Sequence, residues 1–357
     1  MNGVMGGLER QILEISKMLS QKNYEVHIIT FDQESFKPFF DDSDINLSVI
    51  NIGIGNPDIP ATFFMKIRRQ LAILTVLKRI KPDVGIAFMY GGFLMSRPAM
   101  FLMNRPLVLA ERNSPSMYSL TRISRFRNFL FFTMFFATKI TVQFDSYKAK
   151  YPWYLRRKIL AIPNTIMDFG LLQGKVENKI RYVYAGRFSF QKQILRLIEA
   201  FRVFHSDFPE SILTIYGEGE QKSKIEEKIL DLEMQDYVSL FGPSNIEKIL
   251  KNADVICVPS KWEGFPNTLA ESLRAGIPAL GFSNCDGVGD LIDDNHNGWT
   301  EKDNNSIGVI VTLLERSYSA IRLGTIDGAR VRRSMDIYNS QEISIKWDNL
   351  LKSLIRK

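Results

Sequence analysis

Two glutamates in one short stretch are the residues of this chain best suited to carry out chemistry. Glu263 and Glu271 stand eight positions apart in the segment PSKWEGFPNTLAESLRAGIP, residues 259–278. Gly264 and Pro266 lie between them, and because proline breaks helices, no single helix can carry both carboxylates. The pattern predicts that Glu263 lies on a tight loop after the strand DVICV, and that Glu271 lies inside the helix that follows.

One end of the predicted helix can bind an anion. Asn267 is a good N-cap, and the helix TLAESLRA should end at Gly276 and Pro278. N–H groups at Asn267, Thr268 and Leu269 would point toward the loop, where the helix dipole favours a negative group such as a diphosphate. Carboxylates accept hydrogen bonds from sugar hydroxyls, so one turn would offer contacts to a sugar and to a leaving group. An ordinary strand–loop–helix connection with surface glutamates has the same spacing.

The flanks of the two glutamates are more specific than their spacing. With GFPN after Glu263 and the AGIP ending, the stretch resembles the E-x7-E signature of retaining glycosyltransferases with the GT-B fold, in particular those of family 4. The resemblance covers nearly the whole chain and is strongest at residues 162–298. It implies an α/β protein with two Rossmann-like, doubly wound domains facing a cleft. There a hexose or N-acetylhexosamine would pass from a UDP-linked donor to an acceptor hydroxyl with retention at the anomeric carbon.

The resemblance also implies roles for individual residues. Glu263 would contact hydroxyls of the donor sugar and Glu271 the ribose, while Arg187 and Lys192 match the family's G-R…K-G pattern and would neutralise the donor diphosphate. Glu263, Arg187 and Lys192 are therefore the expected catalytic residues. Gln193 replaces the usual glycine after the lysine, which affects the expected shape of that loop but not its charges. The other residues expected to bind the donor are Gly264, Phe265, Asn267, Thr268, Leu269, Gly217 and Gly242.

Three residues of the first half are expected on the acceptor side. Gly6 and Gly7, followed by Glu9 and Arg10, match the family's G-G-x-E-R pattern. Arg112, in the segment ERNSP at a predicted strand end, would hold an acceptor or donor phosphate, or pair with a carboxylate. A doubly wound domain normally opens with a strand before such a glycine turn. No apolar strand precedes the turn here, so we expect either a start at an internal methionine or the loss of the first strand.

Alternation of strand and helix patterns along the chain predicts parallel sheets. The expected domains are an acceptor-side domain at residues 1–165 and a nucleotide-sugar-binding domain at residues 166–340. Residues 341–357 read as a helix that crosses back to brace the first domain.

Charge is distributed unevenly along the chain. It has 357 residues, of which 45% are hydrophobic and 24% charged, a globular composition. Residues 1–165 hold 22 basic and 12 acidic side chains, a net charge of +10, whereas residues 166–357 have a net charge of −3. A basic half suggests an anionic partner. No nucleic-acid-binding motif is present, so anionic lipid or a phosphate-bearing acceptor fits better than nucleic acid.

The most apolar stretch, FRNFLFFTMFFA at residues 126–137, allows two interpretations. As a helix it is apolar nearly all round, which is typical of a buried helix. Arg122, Arg125 and Arg127 adjoin it, however, and favour shallow insertion into a bilayer with the arginines on lipid headgroups. With the family's common roles, these features predict a lipid-linked acceptor in polysaccharide biosynthesis, such as that of capsule or lipopolysaccharide. The enzyme would be cytoplasmic and peripheral on the inner face of the cell membrane.

No cofactor or metal is expected, because two cations and a helix end supply the positive field. Asp41, Asp42 and Asp44 form a D-x-D-like cluster that reads as a solvated loop, and Cys257 and Cys285 read as free thiols. Two other functions fit the same pattern. One is a nucleotide-sugar epimerase or phosphorylase, and the other is a non-catalytic partner subunit of a glycosyltransferase complex.

Overall fold

The chain folds into two compact units. The first comprises Met1–Thr165 together with Ser340–Lys357, and the second comprises Ile166–Asn339. The computed structural model describes residues 7–30, 47–52, 62–172 and 178–355. Gly6 and the cluster of Asp41, Asp42 and Asp44 lie outside these ranges.

Short strands build the sheets of both units. In chain order they are β1 (Val26–Thr30), β2 (Leu47–Asn51), β3 (Gly85–Phe88), β4 (Leu107–Ala110), β5 (Lys139–Val142), β6 (Ile159–Ala161), β7 (Ile180–Ala185), β8 (Ser211–Tyr216), β9 (Val238–Phe241), β10 (Val255–Val258), β11 (Ala279–Phe282) and β12 (Gly298–Glu301). Strands β4, β10 and β11 are buried along their whole length, as expected for parallel strands covered on both faces.

Helices alternate with these strands. In chain order they are α1 (Gly7–Ser20), α2 (Phe63–Ile80), α3 (Met89–Leu102), α4 (Met117–Leu120), α5 (Arg127–Met134), α6 (Trp153–Arg156), α7 (Ile194–Asp207), α8 (Lys222–Asp231), α9 (Ile246–Lys251), α10 (Asn267–Arg274), α11 (Val288–Leu291), α12 (Ile307–Arg322), α13 (Gly328–Arg333) and α14 (Ser340–Leu354). Short 3-10 turns lie at Arg122–Phe126, Asp145–Lys150, Phe190–Lys192 and Asp336–Tyr338.

All strand pairs of the first unit are parallel, as the alternating pattern predicts. Strands β3, β4, β5 and β6 form one sheet in that order, and β1 pairs with β2 in another. Within the described ranges, no strand joins β1 to β3. The register pairs Ala110 with Thr141 and Val142 with Ala161. The residues that follow β4, β5 and β6 therefore meet at one edge of the sheet.

Helix α14 completes the core of the first unit. Its Trp347 is fully buried and belongs to the same apolar cluster as Ile15 and Leu19 of α1 and Val108 of β4. The Tyr24 hydroxyl donates a hydrogen bond of 2.9 Å to the Asp348 carboxylate. Burial and this bond raise the pKa of Tyr24 to about 12. Helix α14 therefore packs against α1.

The second unit has a single parallel sheet of described strands, in the order β12-β11-β10-β7-β8-β9. The chain order reverses between β7 and β10, whose Tyr182 and Val255 are paired. At such a switch point, the loops leaving two neighbouring strands diverge to opposite sides of the sheet and leave a crevice where ligands bind. The sheet order therefore places a ligand-binding crevice after β7 and β10.

The apolar stretch at residues 126–137 is not a buried helix. It divides into the 3-10 turn Arg122–Phe126 and the short helix α5. Phe131 and Met134 are buried, but Phe126, Phe129 and Phe132 are 62%, 63% and 57% exposed. Because the stretch is apolar on every side, its sequence periodicity did not show which side faces the core, and the interpretation as a buried helix was wrong.

Candidate functional site

A pocket of about 180 Å³ lies at the switch point of the second unit. It is walled by the ends of β7 and β10, by the loop after β10 and by the first turn of α10. The residues that line it are Tyr184, Ala185, Gly186, Lys192, Ile256, Cys257, Val258, Ser260, Glu263, Phe265, Pro266, Asn267, Thr268 and Leu269. Six of these were singled out from the sequence as catalytic or donor-binding residues: Lys192, Glu263, Phe265, Asn267, Thr268 and Leu269.

A partly buried ion pair lies at the pocket. The ammonium nitrogen Nζ of Lys192 is 2.6 Å from the carboxylate oxygen Oε1 of Glu263, and the Glu263 side chain is only 8% exposed. The two loops that carry these residues are also tied together: the Lys261 N–H donates to the Gln191 carbonyl at 2.9 Å, and the Gln191 amide donates to the Trp262 carbonyl. The pair is therefore held in place by backbone contacts as well as by its own charges.

The first turn of α10 faces the same pocket. Asn267 is the first helical residue and Pro266 occupies the N-cap position, with no side-chain capping bond, so the prediction of Asn267 as the N-cap was wrong by one residue. The Ala270 N–H donates to the Pro266 carbonyl at 3.0 Å. Thr268 and Leu269 precede Ala270 and lie in the first turn of α10. Backbone N–H groups in a first turn have no carbonyl acceptor within the helix. Such a helix end attracts anions.

Glu271 lies four residues beyond the start of α10 and is not among the pocket-lining residues. It is only 2% exposed, and its backbone carbonyl accepts from the Ala275 N–H at 2.9 Å. Gly264 sits next to Glu263 on the loop but also does not line the pocket. The predicted contact of Glu271 with a ribose stays a prediction.

Gly217 does not line the pocket, but it packs against a residue that does. Its φ is +148°, and a Cβ atom added there would lie 1.9 Å from the carbonyl oxygen of Gly186, which lines the pocket. Only glycine allows the loop after β8 to come this close to the loop after β7. Gly242, by contrast, has open space where a Cβ atom would lie and does not line the pocket. Its role at a nucleotide base stays a prediction.

Gln193 takes the backbone shape for which glycine is the usual choice. Its φ and ψ are 52° and 36°, in the left-handed region, immediately before α7. Its side-chain oxygen accepts a hydrogen bond of 2.6 Å from Arg196, which also pairs with Asp303 at 2.7 Å. A left-handed non-glycine residue costs about 1–2 kcal/mol. The turn after Lys192 is therefore kept although its glycine is absent.

Arg187 follows β7 but does not line the pocket. Its side chain is exposed, and its backbone carbonyl accepts a hydrogen bond of 3.0 Å from the Tyr184 hydroxyl. Tyr184 itself faces the pocket, and burial raises its pKa well above the ordinary value, with a further contribution from the negative charge of Glu263. The Tyr184 side chain therefore stays neutral.

Of the residues expected on the acceptor side, Gly7 and Arg112 belong to the first unit. Gly7 is the first residue of α1. Arg112 is 8% exposed, donates to the Ile162 carbonyl at 2.8 Å and lies 5.5 Å from the ring of Trp347. Burial lowers its pKa to about 10, against the opposing effect of Glu111. Arg112 thus joins β4, the end of β6 and α14, and its contact with an acceptor stays a prediction.

Sequence reasoning missed several residues that line the pocket, among them two with a polar side chain. Tyr184 lies at the end of β7 with Gly186 just after that strand, and Ser260 comes two residues after β10. Ser260 is fully buried, and its hydroxyl oxygen has no hydrogen-bond partner in the described parts of the chain. Their positions at the carboxyl ends of neighbouring strands were the available signal, but using it required the strand order.

Two further observations concern metals and membranes. Across residues 7–30, 47–52, 62–172 and 178–355, no group of three or more His, Cys, Asp or Glu side chains is placed to hold a metal ion. In the same part of the chain, no helix combines the length and the apolar character needed to cross a bilayer.

Known proteins resemble this chain in sequence. Residues 173–317 match the family described as glycosyl transferases group 1. An uncharacterized glycosyltransferase of Haemophilus influenzae is 24% identical over 359 residues, which cover 98% of this chain and 97% of that protein. A Campylobacter jejuni protein is 26% identical over 82% of this chain and 80% of its own length. It is named GalNAc-alpha-(1->4)-GalNAc-alpha-(1->3)-diNAcBac-PP-undecaprenol alpha-1,4-N-acetyl-D-galactosaminyltransferase.

Solved structures resemble it in fold. The crystal structure of Anabaena HepE in complex with UDP and glucose matches with a TM-score of 0.80 at 16% sequence identity, covering 99% of this chain and 98% of that one. The predicted resemblance and the predicted α/β architecture are both confirmed: residues 173–317 match the glycosyl transferases group 1 family, and the chain has the GT-B fold.

Proposed function

We propose that this protein transfers a hexose or N-acetylhexosamine from a nucleotide-sugar, with UDP as the nucleotide, to a sugar hydroxyl with retention at the anomeric carbon. The observation that carries the proposal is the Lys192–Glu263 pair beside the first turn of α10, in one pocket at the switch point. A fixed carboxylate can accept hydrogen bonds from sugar hydroxyls. A cation and a helix end can hold the diphosphate at the same time.

The leaving group is the part of the donor that gains negative charge as the glycosidic bond breaks. Lys192 at the pocket, Arg187 beside it and the amides of Thr268 and Leu269 would stabilise that charge, because preorganised positive groups act most strongly where charge develops. Glu263 would hold the donor sugar, and its charge would lower the energy of the positive character that develops at the anomeric carbon. With these groups as the positive field, we propose that the reaction requires neither a metal ion nor a cofactor.

The identity of the donor is supported by similarity. HepE was crystallised with UDP and glucose, and the Campylobacter jejuni relative is named as an N-acetylgalactosaminyltransferase. Both names describe those proteins, and they make UDP-hexoses and UDP-N-acetylhexosamines the first donors to test here.

We further propose a lipid-linked acceptor, used in the biosynthesis of a surface polysaccharide such as capsule or lipopolysaccharide at the inner face of the cell membrane. The name of the Campylobacter jejuni relative describes a substrate linked to undecaprenol through a diphosphate. The net charge of +10 in residues 1–165 of this chain suits an anionic membrane surface and a phosphate-bearing acceptor.

The test is donor turnover with and without an acceptor. The full chain is incubated with a panel of UDP-sugars and an undecaprenyl-diphosphate-linked sugar, UDP release is followed, and the anomeric configuration of the product is read by NMR. We expect an α-linked product from an α-linked donor. An altered donor without any acceptor would indicate epimerase or phosphorylase activity, and UDP-sugar binding without turnover would indicate a non-catalytic subunit.

A further inference from the structure

We infer that an exposed aromatic surface of the first unit docks on a bilayer of anionic phospholipid. This inference rests on the lipid-linked acceptor proposed above, and it specifies the side chains that meet the membrane. We call the surface the aromatic strip. It consists of Phe101, Phe132, Phe135, Phe136, Trp153 and Tyr154.

The side chains of the strip are exposed to an extent that is unusual for apolar groups. Phe101 is 67% exposed, Phe132 57% and Trp153 80%, and Phe135 and Phe136 are 44% and 48% exposed. Soluble proteins expose single apolar side chains often but large contiguous apolar surfaces rarely, and such surfaces mark interaction sites.

Ring contacts show that the strip is continuous. The ring centroids of Phe132 and Phe136 are 5.6 Å apart, those of Phe135 and Phe136 6.1 Å, and those of Phe135 and Tyr154 6.3 Å. Trp153 lies 6.0 Å beyond Tyr154. The strip therefore runs without interruption from the end of α5 to α6.

Arg97 connects the strip to α3. Its guanidinium carbon lies 4.7 Å from the centroid of the Phe101 ring and 5.8 Å from that of Phe136. Its Nε atom donates to the Phe136 carbonyl at 2.9 Å. Phe101 thus belongs to the same surface, although it lies 31 positions before Phe132 in the sequence.

The inner side of α5 is already occupied by the core. Phe131 and Met134 are buried, and the Phe131 ring lies 5.5 Å from the rings of both Tyr118 and Tyr151. The outward phenylalanines are therefore not the displaced core side of the helix. They form a second apolar side of this segment, and that side is exposed.

Charge decides which partner the strip fits. Residues 84–165 contain twelve Lys or Arg residues and two acidic residues, Glu111 and Asp145, of which Glu111 is fully buried. Lys158 adjoins the strip, with its ammonium nitrogen 4.4 Å from the centroid of the Phe135 ring. Aromatic rings that sit at the level of lipid headgroups, surrounded by cations, are the composition of a surface that binds anionic membranes. An acidic membrane surface therefore complements the strip in both charge and polarity.

Sedimentation with lipid vesicles tests the surface directly. The wild-type chain is mixed at low salt with vesicles of phosphatidylcholine alone or of phosphatidylcholine with phosphatidylglycerol. We expect binding to the second kind that weakens as salt is added, because exposed charges are screened. The triple variant Phe101→Ser, Phe132→Ser, Trp153→Ser should bind at least about tenfold more weakly, since each ring buries apolar area in the bilayer.

A matched control replaces three exposed apolar residues of the second unit: Val203→Ser, Leu230→Ser and Leu323→Ser. They are 47%, 59% and 76% exposed, so the change in surface polarity is similar, and vesicle binding should be unaffected. Equal thermal unfolding temperatures for the two triple variants would show that a loss of binding is not a loss of fold.

Trp153 offers a second measurement that needs no separation step. Of the four tryptophans in the sequence, Trp299 and Trp347 are buried and Trp262 is partly buried, while Trp153 is exposed. Transfer of its ring into a bilayer should move the tryptophan fluorescence to shorter wavelength. The variant Trp153→Phe should lose this shift and keep vesicle binding.

Three results would overturn the inference. They are wild-type protein that stays unbound to anionic vesicles at low salt, a strip variant that binds as well as wild type, or a wild-type dimer that the strip substitutions convert to monomer. The last result would assign the strip to a second copy of the chain. Vesicle binding without donor turnover would support the docking surface and contradict the proposed transfer, and turnover of a water-soluble acceptor without vesicle binding would do the reverse.

Discussion

The carboxyl edges of the two units' sheets are filled in different ways. In the second unit, Glu263 and Lys192 are paired at 2.6 Å and a pocket of about 180 Å³ lies beside them. In the first unit, Arg112 donates to the Ile162 carbonyl, while its Nε and Nη2 atoms and both polar side-chain atoms of Gln143 are buried with no partner among the described residues. One edge surrounds a pocket, and the other carries buried polar side chains whose hydrogen-bonding groups are only partly used among the described residues.

On the outer surfaces, the features that suggest an interaction lie on the first unit instead of the second. The first unit carries the aromatic strip and the excess of positive charge, while residues 166–357 have a net charge of −3. In the proposed function, this separation would let the donor chemistry and the membrane docking be altered independently. Each of the following substitutions tests whether the two properties are as separate as the structure suggests.

The largest effect should come from removing the charge of Glu263. We expect Glu263→Gln to lower turnover by about 10²- to 10³-fold, the size of effect seen when a preorganised electrostatic contact is removed, while UDP affinity is kept because Glu263 is proposed to contact the sugar. Turnover and calorimetric titration with UDP are measured on the same sample. Glu301→Gln is the control. Glu301 forms an ion pair of 2.6 Å with Arg316, and neither residue lines the pocket. A fully active Glu263→Gln protein would remove the central assignment.

Gly217→Ala should destabilise the second unit. The added Cβ would lie 1.9 Å from the Gly186 carbonyl oxygen, at a φ of +148°, and we expect a cost of about 2–3 kcal/mol in the free energy of unfolding. Gly242→Ala is the matched control and should stay within about 0.5 kcal/mol, because it meets open space. Urea unfolding measures both. Similar values for the two variants would contradict the close approach of the loops after β7 and β8.

Lys192→Ala should weaken UDP binding by about tenfold to 100-fold, the value of a hydrogen bond to a charged group. Arg187→Ala should have a smaller effect, because its side chain is exposed. Neither variant should change the affinity for uridine, which lacks the diphosphate. Calorimetry with UDP and uridine separates the two cases. The control is Lys228→Ala, which removes a partly buried pair with Glu199 that does not line the pocket. Equal losses for both ligands would count against a role at the diphosphate.

The smallest effect concerns the first unit alone. Tyr24→Phe removes the bond to Asp348 and should cost about 1 kcal/mol at neutral pH without a change in UDP affinity. The pKa of Tyr24 is raised to about 12 in the folded chain, so its contribution is present below the unfolded pKa of about 10 and is lost as pH rises toward 12. The difference in stability between wild type and variant should therefore shrink over that range. A difference that is constant up to pH 12 would contradict the bond.

Local signals in the sequence were enough for the elements around Glu263. Gly264 and Pro266 exclude a helix through the loop, and the helix that follows ends before Gly276, as predicted. The cap was placed one residue too late, because Asn267 is the better capping residue by type and Pro266 is a common neighbour of helix starts. At this scale, the boundary depends on backbone angles that residue types do not determine.

Longer-range features needed the fold. Lys192 and Glu263 are 71 positions apart in the sequence. They come together because β7 and β10 are neighbours in the sheet, although two strands lie between them in the chain. The left-handed backbone of Gln193 is imposed by the tertiary structure against the preference of the residue. For the stretch at residues 126–137, periodicity carries no information when nearly every position is apolar, so exposure could be decided only by the packing of Phe131 and Met134.

The return of α14 to the first unit has a consequence for the order of folding during synthesis. Trp347, Leu350 and Leu351 are core residues of the first unit, yet they are translated after all of Ile166–Asn339. Domains fold as units while the chain emerges, normally from the N-terminal end. Here the second unit can finish folding before α14 has been synthesised, so the core of the first unit is still incomplete at that stage. A chain that terminates near Asn339 would therefore contain a complete second unit joined to an unfinished first unit, whose uncovered apolar core would be open to proteases and chaperones.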